Sequence, residues 1–197
     1  MKHVIFYLLI TLMTAICADA SVSQGVLPAS SGTPLVPSVA SMEKSGIPDL
    51  YDNAAVKCAR WILSAQLTDE DEATENMREE ASEFLLTWMD MTDKINVTLG
   101  QEVYPLLENK EVLVAYLAGA AIYAVENQSP VYDHSMMLHS LSVAISYYQA
   151  NKSKLGSLTG MDLLIKLRDS GKLDYYLTDI APMFSGPSKP ITQNNIY

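Results

Sequence analysis

The amino-acid sequence predicts an all-α fold, arranged as a compact bundle of about five to six helices. Apolar residues recur at helical spacing in several separate segments of the chain. One of these, residues 112–125, is apolar on every side, which is typical of a helix surrounded by other parts of the protein. Capping residues, prolines and glycines stand where helices are expected to begin and end, so each element can be justified in chain order.

Residues 1–20 have the pattern of a signal peptide, which is removed on export. A basic start at Lys2 is followed by an apolar run over residues 4–12 and by small residues up to Ala20, where cleavage is expected. The run is too short to remain as a membrane span. We therefore expect an exported protein, periplasmic or extracellular, with no integral span in the mature chain. Acylation of Cys17 would instead give a lipid-anchored protein, and this alternative stays open.

The charge and the cysteine content exclude several classes of protein. The formal net charge is −10, and it stays −10 without residues 1–20 because Lys2 and Asp19 are removed together. Such a surface repels phosphate backbones and anionic headgroups, which disfavours nucleic-acid binding and peripheral membrane docking. Cys58 is then the only cysteine left, so no intrachain disulfide can form and packing must hold the domain together.

Two segments outside the periodic region are predicted to be flexible. Residues 21–48, rich in serine, proline, glycine and valine, are interpreted as a leader, and residues 182–197 as a tail. The helical domain is expected between them, over residues 49–181. Its first helix covers about residues 49–66. Cys58 lies in the apolar stripe of this helix, where a buried cysteine acts as a small hydrophobe rather than a reactive thiol.

The second helix and the connection after it have contrasting patterns. Thr68 is a suitable N-cap and is followed by acidic residues, which the positive end of the helix dipole favours. Further acids lie on the face predicted to be solvated. Residues 91–107 predict an extended connection and then a short helical turn that ends near Pro105. The predicted buried stripe of the helix comprises Ala73, Met77, Ala81, Phe84, Leu85 and Trp88.

The third helix is predicted over residues 110–126, with Asn109 as its N-cap. Its apolar stretch is too short to cross a bilayer comfortably. Alanines and Gly119 are frequent in this stretch, and their small side chains allow neighbouring helices to approach its backbone closely.

Cap and stop signals place the remaining helices. The Ser-Pro pair at residues 129–130 is the expected cap and first-turn proline of a fourth helix. Thr159 begins a fifth helix, with Asp162 as a capping-box-like partner and Gly171 at its end. Residues 172–180 are expected to add a final short helix.

A cluster of histidine and methionine near the start of the fourth helix is a candidate soft-metal site, because imidazole and thioether are ligands for copper or silver. His134 pairs with Met137, and Met136 pairs with His139, at the spacing that brings side chains together on a helix. The two pairs point about 140° apart, so one helix cannot aim both at one ion. We therefore predict a core position for His134, a surface position for His139 and no metal site.

The sequence carries no recognisable enzyme motif. The Gly-x-Ser-x-Gly elbow, the Cys/His signatures of nucleophilic catalysis and phosphate-binding glycine loops are absent from it. Glu79 and Glu83 form a pair of carboxylates, but they lie on the most polar face of the second helix, where a solvated role is expected. We predict no catalytic, cofactor-binding or metal-binding residue.

The tyrosines and the glycosylation sequons leave alternatives open. Tyrosines could line a groove for a sugar or peptide, or they could fill the core and edges of a helical domain with their hydroxyls reaching water. The sequons at Asn96, Asn127 and Asn151 matter only if the source of the protein glycosylates asparagine. The tyrosines concerned include Tyr116, Tyr123, Tyr147, Tyr148, Tyr175 and Tyr176.

Four segments of the chain carry a family resemblance. They are residues 60–63 (RWIL), 81–89 (ASEFLLTWM), 116–124 (YLAGAAIYA) and 171–177 (GKLDYYL). In this order they resemble an uncharacterised family of exported, all-helical proteins from Bacteroides-type bacteria. The resemblance covers most of residues 51–177 and implies a periplasmic or outer-surface location. It implies no activity, so no site residue follows from it.

A second, weaker resemblance is to tetratricopeptide-type helix pairs. The third helix, with its small residues, and the fourth helix together resemble one such unit. An α-solenoid of these pairs is the structural alternative, although the period of about 34 residues does not recur along the chain.

These observations together predict an exported, non-enzymatic helical protein that binds a partner protein or peptide. The alternatives are an exported protein that binds a small ligand, a glycan or a soft metal, and an unrecognised hydrolase. A deep cleft in which His134 meets a carboxylate and a hydroxyl would favour the hydrolase. The partner's identity and the oligomeric state stay open.

Overall fold

The computed structural model describes residues 36–65, residue 67 and residues 72–180. Every regular element in these ranges is helical, which confirms the predicted all-α class and the compact helical architecture. The predicted signal peptide with Cys17, the N-cap of the second helix and the C-terminal tail lie outside the described residues.

The described residues form seven α-helical segments, slightly more than the five to six predicted. The 3₁₀ turns are Pro48–Tyr51 and Gln101–Leu106, and a π turn covers Tyr176–Ile180. The α-helical segments are α1 Val39–Ser45, α2 Asp52–Ser64, α3 Glu72–Met91, α4 Lys110–Asn127, α5 His134–Leu155, α6 Thr159–Asp169 and α7 Leu173–Tyr175.

Helix α4 is the central element and is contacted by α2, α3, α5 and the second 3₁₀ turn. Residues 112–121 are all buried, as their uniformly apolar character predicts. The predicted N-cap is confirmed, because the Asn109 Oδ1 atom accepts a hydrogen bond from the backbone N–H of Glu111 at 2.8 Å. Within the described ranges, no helix is long and apolar enough to cross a membrane.

Gly119 lies where α5 packs closely on α4, as the sequence predicts. A Cβ atom built at Gly119 would lie 3.1 Å from the Cβ of Val143 and 3.2 Å from the Cα of Ser140. Both distances are tighter than ordinary van der Waals contact. The missing side chain therefore allows the two helices to pack backbone against side chain.

Two apolar clusters make up the core, and α4 contributes to both. The N-terminal cluster includes Met42, Ile62, Phe84, Leu85 and Trp88, packed against Ala118, Ala121 and Ala124 of α4. The C-terminal cluster includes Leu106, Tyr116, Leu141, Ile145, Tyr148, Leu164 and Tyr176.

Helix α3 buries a stripe that differs in part from the prediction. Phe84 and Trp88 are fully buried as expected, whereas Met77 is 39% exposed and Ala73 is also exposed. In their place Arg78 is buried, and its guanidinium donates hydrogen bonds to carbonyl oxygens at the end of α2. Helix periodicity alone cannot identify this arginine, because its burial depends on those carbonyl groups.

Helix α1 corrects the prediction that residues 21–48 form a flexible leader throughout. Val39–Ser45 are helical, and Met42 is fully buried in the N-terminal cluster. Gly46 ends the helix with a left-handed φ of 63°, and its N–H bonds to the carbonyl oxygens of Met42 and Glu43. Seven residues span too few turns to show a helical period in the sequence.

The predicted start of the fourth helix at residues 129–130 is wrong. Helix α5 begins at His134, and Asp133 caps it by accepting a hydrogen bond from the Met136 N–H at 2.9 Å. The N–H of Ser129 still bonds to the carbonyl oxygen of Ala124 at 3.1 Å. Ser129 therefore belongs to the C-terminal capping turn of α4 and is not the N-cap of the next helix.

Helix α6 begins at Thr159 as predicted, but its N-terminus is capped differently. The Glu108 carboxylate accepts hydrogen bonds from the N–H groups of Thr159 and Gly160 at 3.1 and 2.8 Å. Asp162 does not act as a capping-box partner, since its carboxylate accepts from Ser157 at 2.6 Å instead. A carboxylate from a distant part of the chain thus replaces the local cap.

The predicted irregular stretch before Pro105, the helix stop at Gly171 and the final short helix are confirmed. Residues 95–100 have no regular structure and lead to the 3₁₀ turn that contains Pro105. Gly171 has a left-handed φ of 68° just after α6, as its predicted stop position requires. The predicted final helix over residues 172–180 is found as α7 followed by the π turn.

Candidate functional site

An acidic groove lies where the start of α2, the residues after α3 and the end of α4 meet. Its volume is about 660 Å³, which is within the usual range of ligand sites. Three aspartates line it, with one lysine as the counter-charge. The residues that line this acidic groove are Asp49, Asp52, Asn53, Asp93, Lys94, Ala124, Val125, Gln128 and Pro130.

Packing of the N-terminal cluster fixes Asp52 in the groove. Asp52 is the first residue of α2, and its side chain is only 15% exposed. Its Oδ1 atom accepts a hydrogen bond from the indole N–H of Trp88 at 3.2 Å. Because Trp88 is fully buried, its N–H needs such an acceptor at the edge of the cluster.

Lys94 is held on the opposite side of Asp52 by a turn after α3. The backbone N–H of Lys94 donates to the hydroxyl of Thr92 at 3.2 Å. Its ammonium group pairs with Asp52 and lies 3.5 Å from an oxygen of Asp49. The hydrogen bond to Asp52, above all, raises the pKa of Lys94 above its usual value, so the lysine is charged.

The remaining groups give the groove a net negative charge. The side chain of Asp49 is 58% exposed, and Asp93 is exposed as well. Helix α4 ends at the groove, where Gln128 has a left-handed φ of 49°. The last carbonyl groups of a helix carry partial negative charge. An ammonium or guanidinium group is therefore the chemistry that this groove can accept.

A second polar feature is a buried network around Glu102, which is 8% exposed. Its Oε1 atom accepts hydrogen bonds from the Tyr132 hydroxyl at 2.9 Å and from the Gly100 N–H at 3.0 Å. The Tyr132 hydroxyl also bonds to that of Tyr116. The Tyr176 hydroxyl donates to the backbone carbonyl of Glu102 at 3.2 Å. Burial is the main cause that raises the pKa values of Tyr116, Tyr132 and Tyr176, and it raises that of Tyr176 to about 12.

His134 does not take the place that the helical wheel predicts. The core position predicted for His134 is wrong, because its side chain is 42% exposed and its Nε2 atom lies 2.6 Å from Oδ1 of Asp174. As the first residue of α5, His134 meets the C-terminal segment rather than the core. His139 is half-buried, with its ring 5.4 Å from that of Tyr123.

The candidate soft-metal residues are not gathered into one site. Met136 is fully buried in the N-terminal cluster, whereas Met137 packs against the C-terminal cluster. In the part of the chain that the structure describes, no group of three or more histidine, cysteine, aspartate or glutamate side chains is arranged to hold a metal ion.

Most of the tyrosines that could have lined a groove are instead buried. Tyr147 is 3% exposed, and its hydroxyl accepts a hydrogen bond from Arg78 at 3.3 Å. Tyr148 is fully buried, and its hydroxyl accepts a hydrogen bond from the Leu158 N–H at 2.9 Å. Their hydroxyls therefore connect parts of the protein. Tyr116 and Tyr176 are buried in the same way.

The cysteine and one sequon are also buried. Cys58 is fully buried, and burial raises the pKa of its thiol to about 11, which confirms its interpretation as a small core residue. Asn151 is 4% exposed and its amide bonds to Leu67 and Tyr147, so it is inaccessible to a glycosylating enzyme in the folded protein. Asn96 and Asn127 are exposed.

A shallower groove of about 370 Å³ lies between the end of α2 and α5. Its lining is mainly apolar, so it offers few groups that would orient a ligand. The lining residues are Leu63, His139, Ser142, Val143, Ser146, Tyr147 and Ala150.

The acidic groove was not identified from the sequence. Asp49 and Asp52 were interpretable there only as the start of a helix, and Asp93 and Lys94 as part of a loose connection. One signal could have helped, because the short link between α2 and α3 favours antiparallel packing. Antiparallel packing brings the start of α2 beside the end of α3.

The fold and the groove together define a compact all-α protein with an acidic surface cleft. Comparison of the chain with protein-family models, with curated proteins and with solved structures finds no match. The family resemblance of residues 51–177 therefore stays a prediction.

Proposed function

We propose that this is an exported, non-enzymatic helical protein that binds a partner protein or peptide, and that the acidic groove receives a basic segment of that partner. The observation that carries the proposal is the groove, where three aspartates line a space of about 660 Å³ with one lysine as counter-charge. A space of this volume can hold several side chains or a small organic ligand.

Exposed apolar side chains beside the groove support a peptide rather than a small amine. Leu50 is 72% exposed and stands in the chain between Asp49 and Asp52. Val131 is 61% exposed and follows Pro130 on the other wall. A segment in which basic and apolar residues alternate would contact both the carboxylates and these two side chains.

Charge favours an external partner over the terminal segments of this chain. Residues 21–35 contain no charged side chain, and Lys189 is the only cation in residues 181–197. Neither segment therefore offers the several cations that a groove lined by Asp49, Asp52 and Asp93 can accept. The net charge of −10 would also speed the encounter with a basic partner at low ionic strength.

The contacts of His134 and His139 support a binding protein over the rival hydrolase. His134 pairs with a carboxylate at an exposed position, and His139 packs on a tyrosine ring. Neither contact brings a histidine to a serine hydroxyl or a cysteine thiol, which a nucleophilic hydrolase needs.

The proposal is tested with a short fluorescein-labelled peptide rich in lysine and leucine, titrated into the protein at low salt. We expect saturable binding that weakens as salt rises. The double variant Asp49→Asn/Asp93→Asn should lower the affinity by about tenfold, because exposed ion pairs each contribute up to about 1 kcal/mol. Fluorescence anisotropy gives both dissociation constants.

The matched control is Glu79→Gln/Glu83→Gln, which removes the same charge from the exposed face of α3. This variant should bind with about the wild-type affinity, within about twofold. Equal losses in the two double variants would show that net charge alone attracts the peptide, and the groove would not be the site. Binding of a peptide with glutamate in place of lysine would contradict the proposal as well.

A further inference from the structure

One wall of the acidic groove is formed by the connection between α4 and α5, residues 128–133, which we call the rim segment. Gln128 and Pro130 of this segment line the groove. Hydrogen bonds hold both ends of the segment, through the Ser129 N–H at the end of α4 and the Asp133 carboxylate at the start of α5. The middle carries a proline, which lacks an N–H, and the exposed Val131.

Tyr132 anchors the middle of the rim segment to the interior. Its ring packs against both apolar clusters, and its hydroxyl donates to the Oε1 atom of Glu102 at 2.9 Å. The hydroxyl of Tyr116, which is fully buried on α4, bonds to the hydroxyl of Tyr132. The side chain of Tyr132 thus connects the rim segment to α4 and to the second 3₁₀ turn, Gln101–Leu106.

The acceptor, Glu102, is fixed independently of the rim segment. Its Oε1 atom also accepts from the Gly100 N–H, and a Cβ atom at Gly100 would lie 2.5 Å from the other carboxylate oxygen. Its backbone carbonyl is held by Tyr176. Because a buried carboxylate needs its hydrogen-bond donors, the bond from Tyr132 has a defined direction and partner.

We propose that Tyr132 is a positioning residue for the acidic groove, which sets the place of Gln128 and Pro130 through its hydrogen bond to Glu102. The expected effect of Tyr132 on peptide binding rests on the function proposed above. Its expected effect on the order of the rim segment does not. The loss of the hydroxyl leaves the ring in the core but frees the middle of the segment to move.

Hydrogen exchange with peptic digestion and mass spectrometry on the full chain tests this. In Tyr132→Phe the amides of the rim segment should exchange about tenfold faster than in the wild type, because the segment opens locally more often. The lysine- and leucine-rich peptide should bind about threefold to tenfold more weakly. The unfolding midpoint in urea is measured for each variant.

Two control variants separate positioning from general destabilisation. Tyr148→Phe removes a fully buried hydroxyl whose hydrogen bonds go to Leu158, Gly156 and Asp162 rather than to Glu102 or the rim segment. It should leave rim exchange and peptide affinity at wild-type values. Glu102→Gln keeps a side-chain oxygen that can accept from Tyr132, so it should restore slow exchange relative to Glu102→Ala.

The outcomes are distinct. Unchanged rim exchange in Tyr132→Phe overturns the inference, and so does equal acceleration in Tyr148→Phe. A faster-exchanging rim segment with unchanged peptide affinity overturns the positioning role. If the wild-type protein binds no peptide, the proposed function fails, and rim exchange alone then decides whether Tyr132 fixes the segment.

Discussion

The N-terminal and C-terminal clusters are held together in different ways, although α4 contributes to both. In the N-terminal cluster, Phe84 and Trp88 pack against alanines of α4 in an almost entirely apolar contact. In the C-terminal cluster, the hydroxyls of Tyr148 and Tyr176 bond to backbone groups of irregular segments as well as packing their rings.

The difference follows from the backbone that each cluster covers. Regular helices satisfy their own N–H and C=O groups, so apolar side chains are sufficient between them. Turns and helix ends leave these groups unpaired, and tyrosine supplies a ring for packing and a hydroxyl for bonding. Arg78 follows the same rule, since it donates to the carbonyl oxygens of Ile62 and Ala65 where α2 ends.

The largest expected effect is in the apolar cluster. Phe84→Ala should lower the free energy of unfolding by about 3–5 kcal/mol, because the fully buried ring leaves a cavity. Urea unfolding followed by circular dichroism measures the change. Phe84→Leu, which keeps most of the apolar volume, should cost distinctly less. A loss below about 1 kcal/mol for the alanine variant would mean that the cluster is loosely packed.

In the tyrosine-linked cluster, removal of a single oxygen should be costly. Tyr148→Phe keeps the ring but leaves the Leu158 N–H without its acceptor, so unfolding should become easier by about 1–3 kcal/mol. The control is Tyr175→Phe at a side chain that is 51% exposed, where the change should stay within about 0.5 kcal/mol. If both variants unfold at the same urea concentration, the hydroxyl of Tyr148 does not hold the segment before α6.

The smallest expected effect concerns acid stability at the edge of the same cluster. The bond to Lys152, followed by those to Ser157 and Tyr148, lowers the pKa of Asp162 to about 2. Because the folded pKa is below that of the unfolded chain, the stabilisation is present above about pH 4 and is lost as the pH falls toward 2. The difference in unfolding free energy between the wild type and Asp162→Asn should therefore disappear over this interval.

Lys152→Met provides the control for the acid prediction, since it removes the main cause of the lowered pKa. In that background Asp162→Asn should change the pH profile much less. A wild-type profile that coincides with that of Asp162→Asn at every pH would show that the carboxylate is not stabilised by folding.

Sequence signals worked best where a few adjacent residues decide the structure. Helix α4 was predictable from Asn109 to its last turn, because its cap and its apolar residues are local features. The stop at Gly171 was predictable for the same reason. The start of α5 was not, since Ser129 bonds back to α4 and Asp133 supplies the cap.

The sequence by itself determined the helical class, the central helix and the burial of Cys58, because periodicity and composition encode these within single segments. Only the tertiary structure decided the acidic groove and the network around Glu102. Asp52, Lys94 and Gln128 lie far apart in the chain and meet because α2, α3 and α4 pack together. A hydrogen bond across such a distance depends on where whole helices end, and no local pattern records that.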